Sequence, residues 1–290
     1  MLTKFDLKKL IIGTANFGQK YGLKKNKINH KEIFKIFNHS YKMGIRTIDT
    51  AINYGTSESV ITKYRNKNKN WKIISKIPKI PKKIQKIDIY INRVINKSIK
   101  NLNLKTLHGI LIHNPDDLLN ERGHEIYQSL LKIKKKGLIK KIGVSIYNFE
   151  QINILTEKYK LDVIQVPFNL IDRRLLNKKI LKNLKDRKIE IHARSIFLKG
   201  LLLQEKLPKK FGRYNHLWSM IDKFNKENNT NSLELCLNFI KKYQLVDRFI
   251  IGIDNLEHLK EITKILRSNK SIKVPFVKSN DKKLIDPTQW

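Results

Sequence analysis

Short runs of aliphatic and β-branched residues alternate with longer amphipathic stretches, and this alternation constrains the fold more than any other feature. The short runs predict eight strands, at Lys9–Thr14, Arg46–Thr50, Lys72–Ile77, Gly109–His113, Lys141–Ser145, Val163–Phe168, Glu190–Ser195 and Phe249–Ile253. Helical spacing of apolar residues predicts helices at His30–Lys42, Ile87–Leu102, Gly123–Lys136, Phe149–Tyr159, Leu175–Asp186, Ser232–Tyr243 and Asn255–Leu266. Eight strands that alternate with helices indicate an α/β protein, a (β/α)8 TIM barrel, with a doubly wound sheet as the alternative.

The length of the chain suits one barrel. With 290 residues, of which 40% are apolar, the chain can build a sizeable core. No low-complexity linker divides it, so we expect a single domain over residues 1–290, with a barrel core at about 9–267 and a C-terminal tail at 268–290. Two segments exceed the basic repeat, Gly200–Thr230 and Ser271–Trp290. Because long loops usually carry function, we expect both to lie over the active face.

The net charge of +36 raises the question of a nucleic-acid or anionic-surface partner. The basic residues are spread over the whole chain, and only 11 of the 61 are Arg, the residue that base and phosphate recognition favour. This distribution favours a solvated lysine surface and disfavours nucleic-acid binding. A basic binder of nucleic acid or anionic surfaces stays open as an alternative function.

The single cysteine, Cys236, excludes an intramolecular disulfide and a cysteine-rich metal site. No stretch approaches the roughly 18 continuous apolar residues of a membrane span, and the first residues do not resemble a signal peptide. We therefore expect no metal, no membrane insertion and a cytoplasmic location.

Four proton-handling residues stand at or just beyond the ends of consecutive predicted strands. Asp49 ends the second strand and Tyr54 follows it, while Lys76 and His113 lie at the ends of the third and fourth. Each alone has an ordinary structural interpretation, such as a turn cap or a surface lysine. Because active sites of (β/α)8 barrels lie at the C-terminal ends of the strands, the four together predict a catalytic site.

These residues and the segments around them resemble the aldo-keto reductase family. The resemblance covers almost the whole chain and includes the segments GTANFGQKYG, GIRTIDTAINYG, KIGVS, IQVPFN and HARSIFLKGLLL. It implies a (β/α)8 barrel, an extended nicotinamide cofactor, and reduction of an aldehyde or ketone, with sugar-like carbonyls among the candidates. In this reading Tyr54 is the general acid and Lys76, held by Asp49, favours its ionised form, while His113 donates a hydrogen bond to the substrate oxygen.

The resemblance also implies contacts to the cofactor. The residues concerned are Gly13, Thr14, Ser145, Gln165, Arg194, Ser195, Phe197, Gly252, His258 and Glu261. Ser145 and Gln165 would bind the nicotinamide carboxamide. Arg194 stands where many members stack an aromatic ring on the nicotinamide, and a guanidinium can also stack on a flat ring.

The end of the chain bears on the choice of dinucleotide. Glu261 falls on the position that contacts the adenine amine in many members, and His258 replaces the Arg typical of NADPH-specific members. The family favours NADP(H), with NAD(H) as the alternative. Aromatic residues in loops and the tail are expected to pack, and their positions also allow them to line a substrate pocket; they are Phe17, Tyr21, Phe197, Trp218 and Trp290.

The expected partner is thus a small carbonyl compound. The alternative is a non-catalytic, cofactor-sensing barrel, like the potassium-channel β subunits that resemble this family. Measured turnover separates the two. No pattern in the sequence specifies the substrate or an oligomeric state.

Overall fold

The computed structural model, which describes residues 5–23, 27–65, 70–270 and 272–290, contains a closed barrel of parallel strands. The strands pair in sequence order, and β1 closes the barrel by pairing with β8. They are β1 Leu10–Gly13, β2 Thr47–Asp49, β3 Lys72–Ile77, β4 Gly109–Ile112, β5 Ile142–Ser145, β6 Val163–Pro167, β7 Glu190–Arg194 and β8 Arg248–Gly252. The predicted (β/α)8 barrel is confirmed, with every strand end within one residue of its predicted position.

Helices connect the strands. In the described part of the chain they are α1 Ala15–Gly18, α2 His30–Lys42, α3 Ser57–Tyr64, α4 Ile87–Asn101, α5 Asp116–Leu119, α6 Gly123–Lys135, α7 Gln151–Lys158, α8 Lys178–Asp186, α9 Asn215–Glu227, α10 Ser232–Lys242, α11 Leu256–Arg267 and α12 Lys282–Ile285. The helix predicted at Leu175–Asp186 begins later than expected. Asn177 has an extended backbone and its side chain accepts from Lys179 N and Ile180 N, so it caps α8 and separates it from a preceding 3-10 turn.

The barrel interior contains a cluster of apolar side chains from β1, β3, β4, β6 and β8. These residues form a buried cluster apart from the larger core between strands and helices; they are Ile11, Ile74, Leu111, Val163 and Ile250. Because successive side chains of a strand point to opposite faces, the residue two positions further along points into the same interior. This rule places Lys76, His113 and Gln165 at the C-terminal end of the barrel.

The C-terminal tail packs against the segment that follows β7, at the C-terminal end of the barrel. Tyr214 donates to Asp281 Oδ2 at 2.7 Å, and Lys199 Nζ donates to the Pro287 carbonyl at 3.0 Å. Helix α9 lies within this segment. Over the residues described, no helix combines the length and apolar character needed to cross a membrane.

Candidate active site

A cavity of about 290 Å³ opens at the C-terminal ends of the strands. Its size approaches the lower end of the range of small-molecule sites, about 300 to 1,000 Å³. Every predicted site residue lines it except Lys76 and Glu261. Lys76 is buried next to Asp49, and Glu261 is an exposed residue of α11.

Asp49 and Lys76 form a buried ion pair. Lys76 Nζ lies 2.6 Å from Asp49 Oδ2 and also donates to the Thr50 carbonyl at 2.9 Å. Burial lowers the pKa of Lys76, and Asp49 works against that shift. The Asp49 carboxylate therefore favours the charged form of Lys76 against the effect of burial.

Tyr54 is carried by a tight turn after β2. The turn closes through a hydrogen bond from Tyr54 N to the Ala51 carbonyl, and the next residue, Gly55, has a φ of +57°. A Cβ at Gly55 would lie 2.6 Å from the Gly18 carbonyl oxygen, so only glycine fits. The ring of Tyr54 meets His113 edge-on, with ring centroids 5.9 Å apart.

The Tyr54 hydroxyl faces the cavity, and among the described residues none forms a hydrogen bond with it. Burial raises the pKa of Tyr54 above its ordinary value, the Asp49 carboxylate raises it further, and Arg194 opposes both. The tyrosine is therefore protonated at neutral pH. Lys76 Nζ lies 5.1 Å from the centre of the Tyr54 ring, and the role of Lys76 in favouring the ionised form of Tyr54 stays a prediction.

His113 is a neutral imidazole. Burial lowers its pKa to about 3, and the positive charges of Lys76 and Arg194 act in the same direction. A neutral imidazole retains one N–H donor, so His113 can donate to an oxygen in the cavity without carrying charge.

A chain of hydrogen bonds joins the predicted carboxamide-binding residues to the catalytic group. Ser145 Oγ donates to Gln165 Oε1 at 3.2 Å, and Gln165 Nε2 donates to Asp49 Oδ1 at 2.8 Å. Asp49 thereby fixes the orientation of the Gln165 amide. The three side chains come from β2, β5 and β6, so barrel closure is what brings them together.

Arg194 is held from two sides. Its guanidinium carbon lies 3.7 Å from the centre of the Tyr147 ring, and its two terminal nitrogens donate to the Ile146 carbonyl at 2.8 Å and to Ser195 Oγ at 3.2 Å. No carboxylate in the described residues forms an ion pair with it. Tyr147 was missed in the sequence analysis, although it continues the inward-facing alternation of Gly143 and Ser145.

Several other cavity residues carry no strand-end signal. Asn16 lies in the short helix α1, Lys199 in a 3-10 turn after β7 and Asp254 in the loop after β8, so their places depend on how these connections fold over the barrel. Of the aromatic residues considered, Tyr21 and Phe197 line the cavity. The others pack elsewhere: Phe17 against Phe37, Trp218 onto the Gln204 carbonyl and Trp290 against Phe211.

The far end of the cavity is formed by the start of α11. His258 lines it, and burial lowers the pKa of this imidazole while Asp254 and Glu261 work against the shift. Lys260 is paired with Glu257 at 2.7 Å. Glu261, predicted to contact an adenine amine, lies outside the cavity wall.

Comparison with known proteins gives a consistent family. The model of the aldo/keto reductase family matches residues 9–274. An uncharacterised oxidoreductase of Schizosaccharomyces pombe is 31% identical over 151 residues, which cover 50% of this chain and only 54% of that relative. D-arabinose 1-dehydrogenase of Saccharomyces cerevisiae is 23% identical over 272 residues, or 87% of this chain and 80% of that protein.

Solved structures show the same fold. An aldo-keto reductase of Bacillus halodurans, in its holo form, has a TM-score of 0.74 at 16% identity, with 91% of this chain and 88% of that chain covered. A glycerol dehydrogenase of Gluconobacter oxydans has a TM-score of 0.67 at 20% identity, again over 91% and 88%. At these identities the likeness concerns the fold alone.

Proposed function

This chain belongs to the aldo/keto reductase family, and from that premise we propose that it transfers a hydride between a nicotinamide cofactor and a small carbonyl compound, with Tyr54 as the general acid. One observation carries the proposal. A protonated tyrosine and a neutral histidine meet at one end of a cavity, with no hydrogen-bond partner for the tyrosine hydroxyl among the described residues.

The residues of the cavity suit a nicotinamide dinucleotide. At one end the Ser145 hydroxyl and the Gln165 amide offer the donors and acceptors that complement a carboxamide. The cavity continues past Ser195 and Gly252 to His258 at the start of a helix, whose N-terminus favours anionic groups. When bound, the reduced cofactor supplies the hydride. We propose NADP(H) as the preferred form, from the family, with NAD(H) as the alternative.

In the reduction direction the protein supplies a proton and hydrogen bonds. As negative charge grows on the substrate oxygen, Tyr54 transfers its phenolic proton to that oxygen. His113 donates its N–H to the same oxygen and orients the carbonyl. The Asp49–Lys76 ion pair holds the buried base of the cavity in place. Arg194 stabilises the tyrosinate that Tyr54 becomes.

The walls of the cavity favour a substrate rich in oxygen. Three tyrosine hydroxyls line it, those of Tyr21, Tyr54 and Tyr147, together with the amide of Gln204. A site with several hydrogen-bonding groups selects a substrate that pairs with them, because unpaired buried groups are costly. We therefore propose a sugar-like or polyol-derived carbonyl. The names of two relatives, a D-arabinose and a glycerol dehydrogenase, support this class.

Two further expectations from the sequence stay proposals. We propose that residues 1–290 form one domain, which the packing of the tail against the segment after β7 supports. We also propose a cytoplasmic location, supported by the single cysteine, Cys236, which is unpaired and buried.

The test is a turnover assay on wild type and Tyr54→Phe, with dinucleotide binding titrated on the same samples. Oxidation of the reduced cofactor is followed with a panel of aldehydes, ketones and sugars. We expect turnover by wild type and a loss of about 10²-fold or more in kcat for Tyr54→Phe, with dinucleotide Kd nearly unchanged. Binding without turnover by wild type would indicate the cofactor-sensing alternative. No binding, together with salt-sensitive affinity for nucleic acid, would indicate the basic binder.

A further inference from the structure

Arg194 differs from the other charged groups around the cavity. Asp49 is balanced by Lys76, and Asp254 accepts from Asn16 Nδ2 at 3.2 Å. Lys199 donates to the Pro287 carbonyl and has the Asp286 carboxylate within electrostatic reach. Arg194 lines the cavity as a cation that three neutral groups hold in place, and no carboxylate in the described part of the chain forms an ion pair with it.

The contacts of Arg194 fix its charge in place. Tyr147 covers one face of the guanidinium, and the Ile146 carbonyl and the Ser195 hydroxyl accept from its two terminal nitrogens. An arginine remains charged at every pH at which proteins fold. The cavity therefore contains a permanent, immobilised positive charge.

That charge lies in the cavity where the reaction would occur. Arg194 lines the same cavity as Tyr54 and His113, which flank the proposed substrate oxygen, and its charge lowers the pKa of both. A ring that exchanges hydride with the carbonyl carbon must lie next to these side chains, since the reacting atoms have to come within contact distance. Arg194 then acts on that ring as well.

We propose that Arg194 makes this site discriminate between the two oxidation states of the nicotinamide, so that the neutral reduced form binds more tightly than the positively charged oxidised form. The inference rests on the proposed function. Two like unit charges close together in a protein environment repel strongly enough to weaken binding by roughly tenfold to a hundredfold. A tenfold preference corresponds to a rise of about 30 mV in the reduction potential of a bound two-electron couple.

The discrimination has a consequence for turnover. After a carbonyl is reduced, the oxidised cofactor leaves a site that repels it and the reduced form replaces it. In the opposite direction, the oxidised form is a stronger hydride acceptor while it is bound. Arg194 thus assists product release in one direction and the chemical step in the other.

The experiment is an equilibrium titration of the full-length protein with NADPH, NADP⁺, NADH and NAD⁺, read by intrinsic fluorescence and by calorimetry. The quantity of interest is the ratio of the Kd of the oxidised form to that of the reduced form. We expect a ratio of about ten or more for wild type, and a fall of at least about fivefold in Arg194→Gln. Arg194→Lys keeps the charge and should retain part of the ratio. Lys223→Gln removes an exposed charge of α9 and should leave the ratio unchanged.

The outcomes separate the inference from the proposed function. A wild-type ratio near one, or an equal loss of affinity for both forms in Arg194→Gln, overturns the inference and leaves the proposed function standing. Failure of wild type to bind any of the four dinucleotides contradicts the proposed function itself. Should Arg194→Gln fail to fold, as judged by circular dichroism, Arg194→Tyr removes the charge with a ring that can pack on Tyr147, and the same ratio decides.

Discussion

Both ends of the barrel interior hold polar side chains, but the two ends use them differently. At the N-terminal end, Glu190 forms an ion pair with Lys141, and it lies 3.4 Å from both Arg248 Nε and His192 Nε2. At the C-terminal end Asp49 and Lys76 form an ion pair. Tyr54 and Arg194 there face the cavity without a charged partner in the described residues.

This difference separates stability from chemistry. Where charges pair with one another, as Glu190 does with Lys141 and Arg248, the interactions hold neighbouring strands together. Where hydroxyl, imidazole and guanidinium groups remain without partners next to a cavity, a ligand can complete them. Barrel enzymes place their sites at the C-terminal end, and the open groups of this chain follow that rule.

The largest effect on stability is expected for the buried Asp49–Lys76 ion pair, which lies next to the cavity at the C-terminal end of the barrel. Lys76→Met leaves the Asp49 carboxylate buried without its cation, which should lower the free energy of unfolding by about 3–5 kcal/mol. Urea denaturation measures it. The double variant Asp49→Asn, Lys76→Met should recover part of the loss. If Lys76→Met lowers the free energy of unfolding by less than about 1 kcal/mol, the Asp49–Lys76 ion pair does not stabilise the base of the cavity.

A second prediction concerns only the cavity at the C-terminal end of the barrel. His113→Leu removes the N–H donor to the substrate oxygen, so kcat should fall by about 10²-fold, with little change in dinucleotide Kd. Steady-state kinetics and titration check both numbers. His113→Asn keeps a donor near the same place and should retain more activity. Equal activity for His113→Leu and wild type would remove His113 from the chemistry.

A third prediction concerns only the ion pairs of Glu190 at the N-terminal end of the barrel. Glu190→Gln breaks the charged contacts to Lys141 and Arg248, and should cost about 2 kcal/mol of stability while leaving kcat and KM unchanged. Chemical denaturation and kinetics on the same preparation check the two halves. A change in kcat would contradict the separation between the ends.

The same residue predicts a pH dependence. Burial alone would raise the pKa of Glu190, but His192 and Lys141 outweigh it and hold the pKa below its ordinary value of 4.5. A depressed carboxyl pKa contributes stability that is present above the unfolded pKa and is lost as pH falls through the folded pKa. The stability difference between wild type and Glu190→Gln should therefore shrink as pH falls below 4.5. If the stability difference between wild type and Glu190→Gln stays constant below pH 4.5, Glu190 does not have the lowered pKa that the structure indicates.

The smallest effect is expected from the support of Arg194. Tyr147→Leu removes the ring beneath the guanidinium, so we expect kcat/KM to fall about threefold to tenfold, the scale of a partly buried cation–π contact. Tyr147→Phe keeps the ring and should stay within about twofold of wild type. Equal losses in the two variants would assign the effect to the hydroxyl of Tyr147 instead.

The strands could be predicted because a barrel strand is an unbroken run of buried residues with a fixed alternation. Helix α3 could not be predicted in this way. Its buried side contains Ser57 and Glu58, which form hydrogen bonds with Thr14 and Ser75, so Val60 and Ile61 leave only a short apolar signal in this helix. Helix α9 does carry apolar spacing, at Leu217, Trp218 and Ile221, and the interpretation of Gly200–Thr230 as a loop overlooked it.

The site residues also divide into those that could be predicted from the sequence and those that could not. Residues at strand ends, such as Asp49 and Gln165, were predicted because the strand fixes where they point. The effect of Arg194 on the pKa of Tyr54 could not be predicted, because it depends on how close the two side chains lie after the barrel closes. Lys199 was missed for a similar reason, since its place is set by the tail carbonyl that binds it.

The most direct test of the central claim is a crystal structure of the full-length protein with the reduced dinucleotide bound. We predict density for the nicotinamide in the cavity between Arg194 and Tyr54, with its carboxamide at Ser145 and Gln165. Density for the dinucleotide elsewhere on the barrel, with only solvent in this cavity, would contradict the assignment of the active site to the C-terminal end of the barrel.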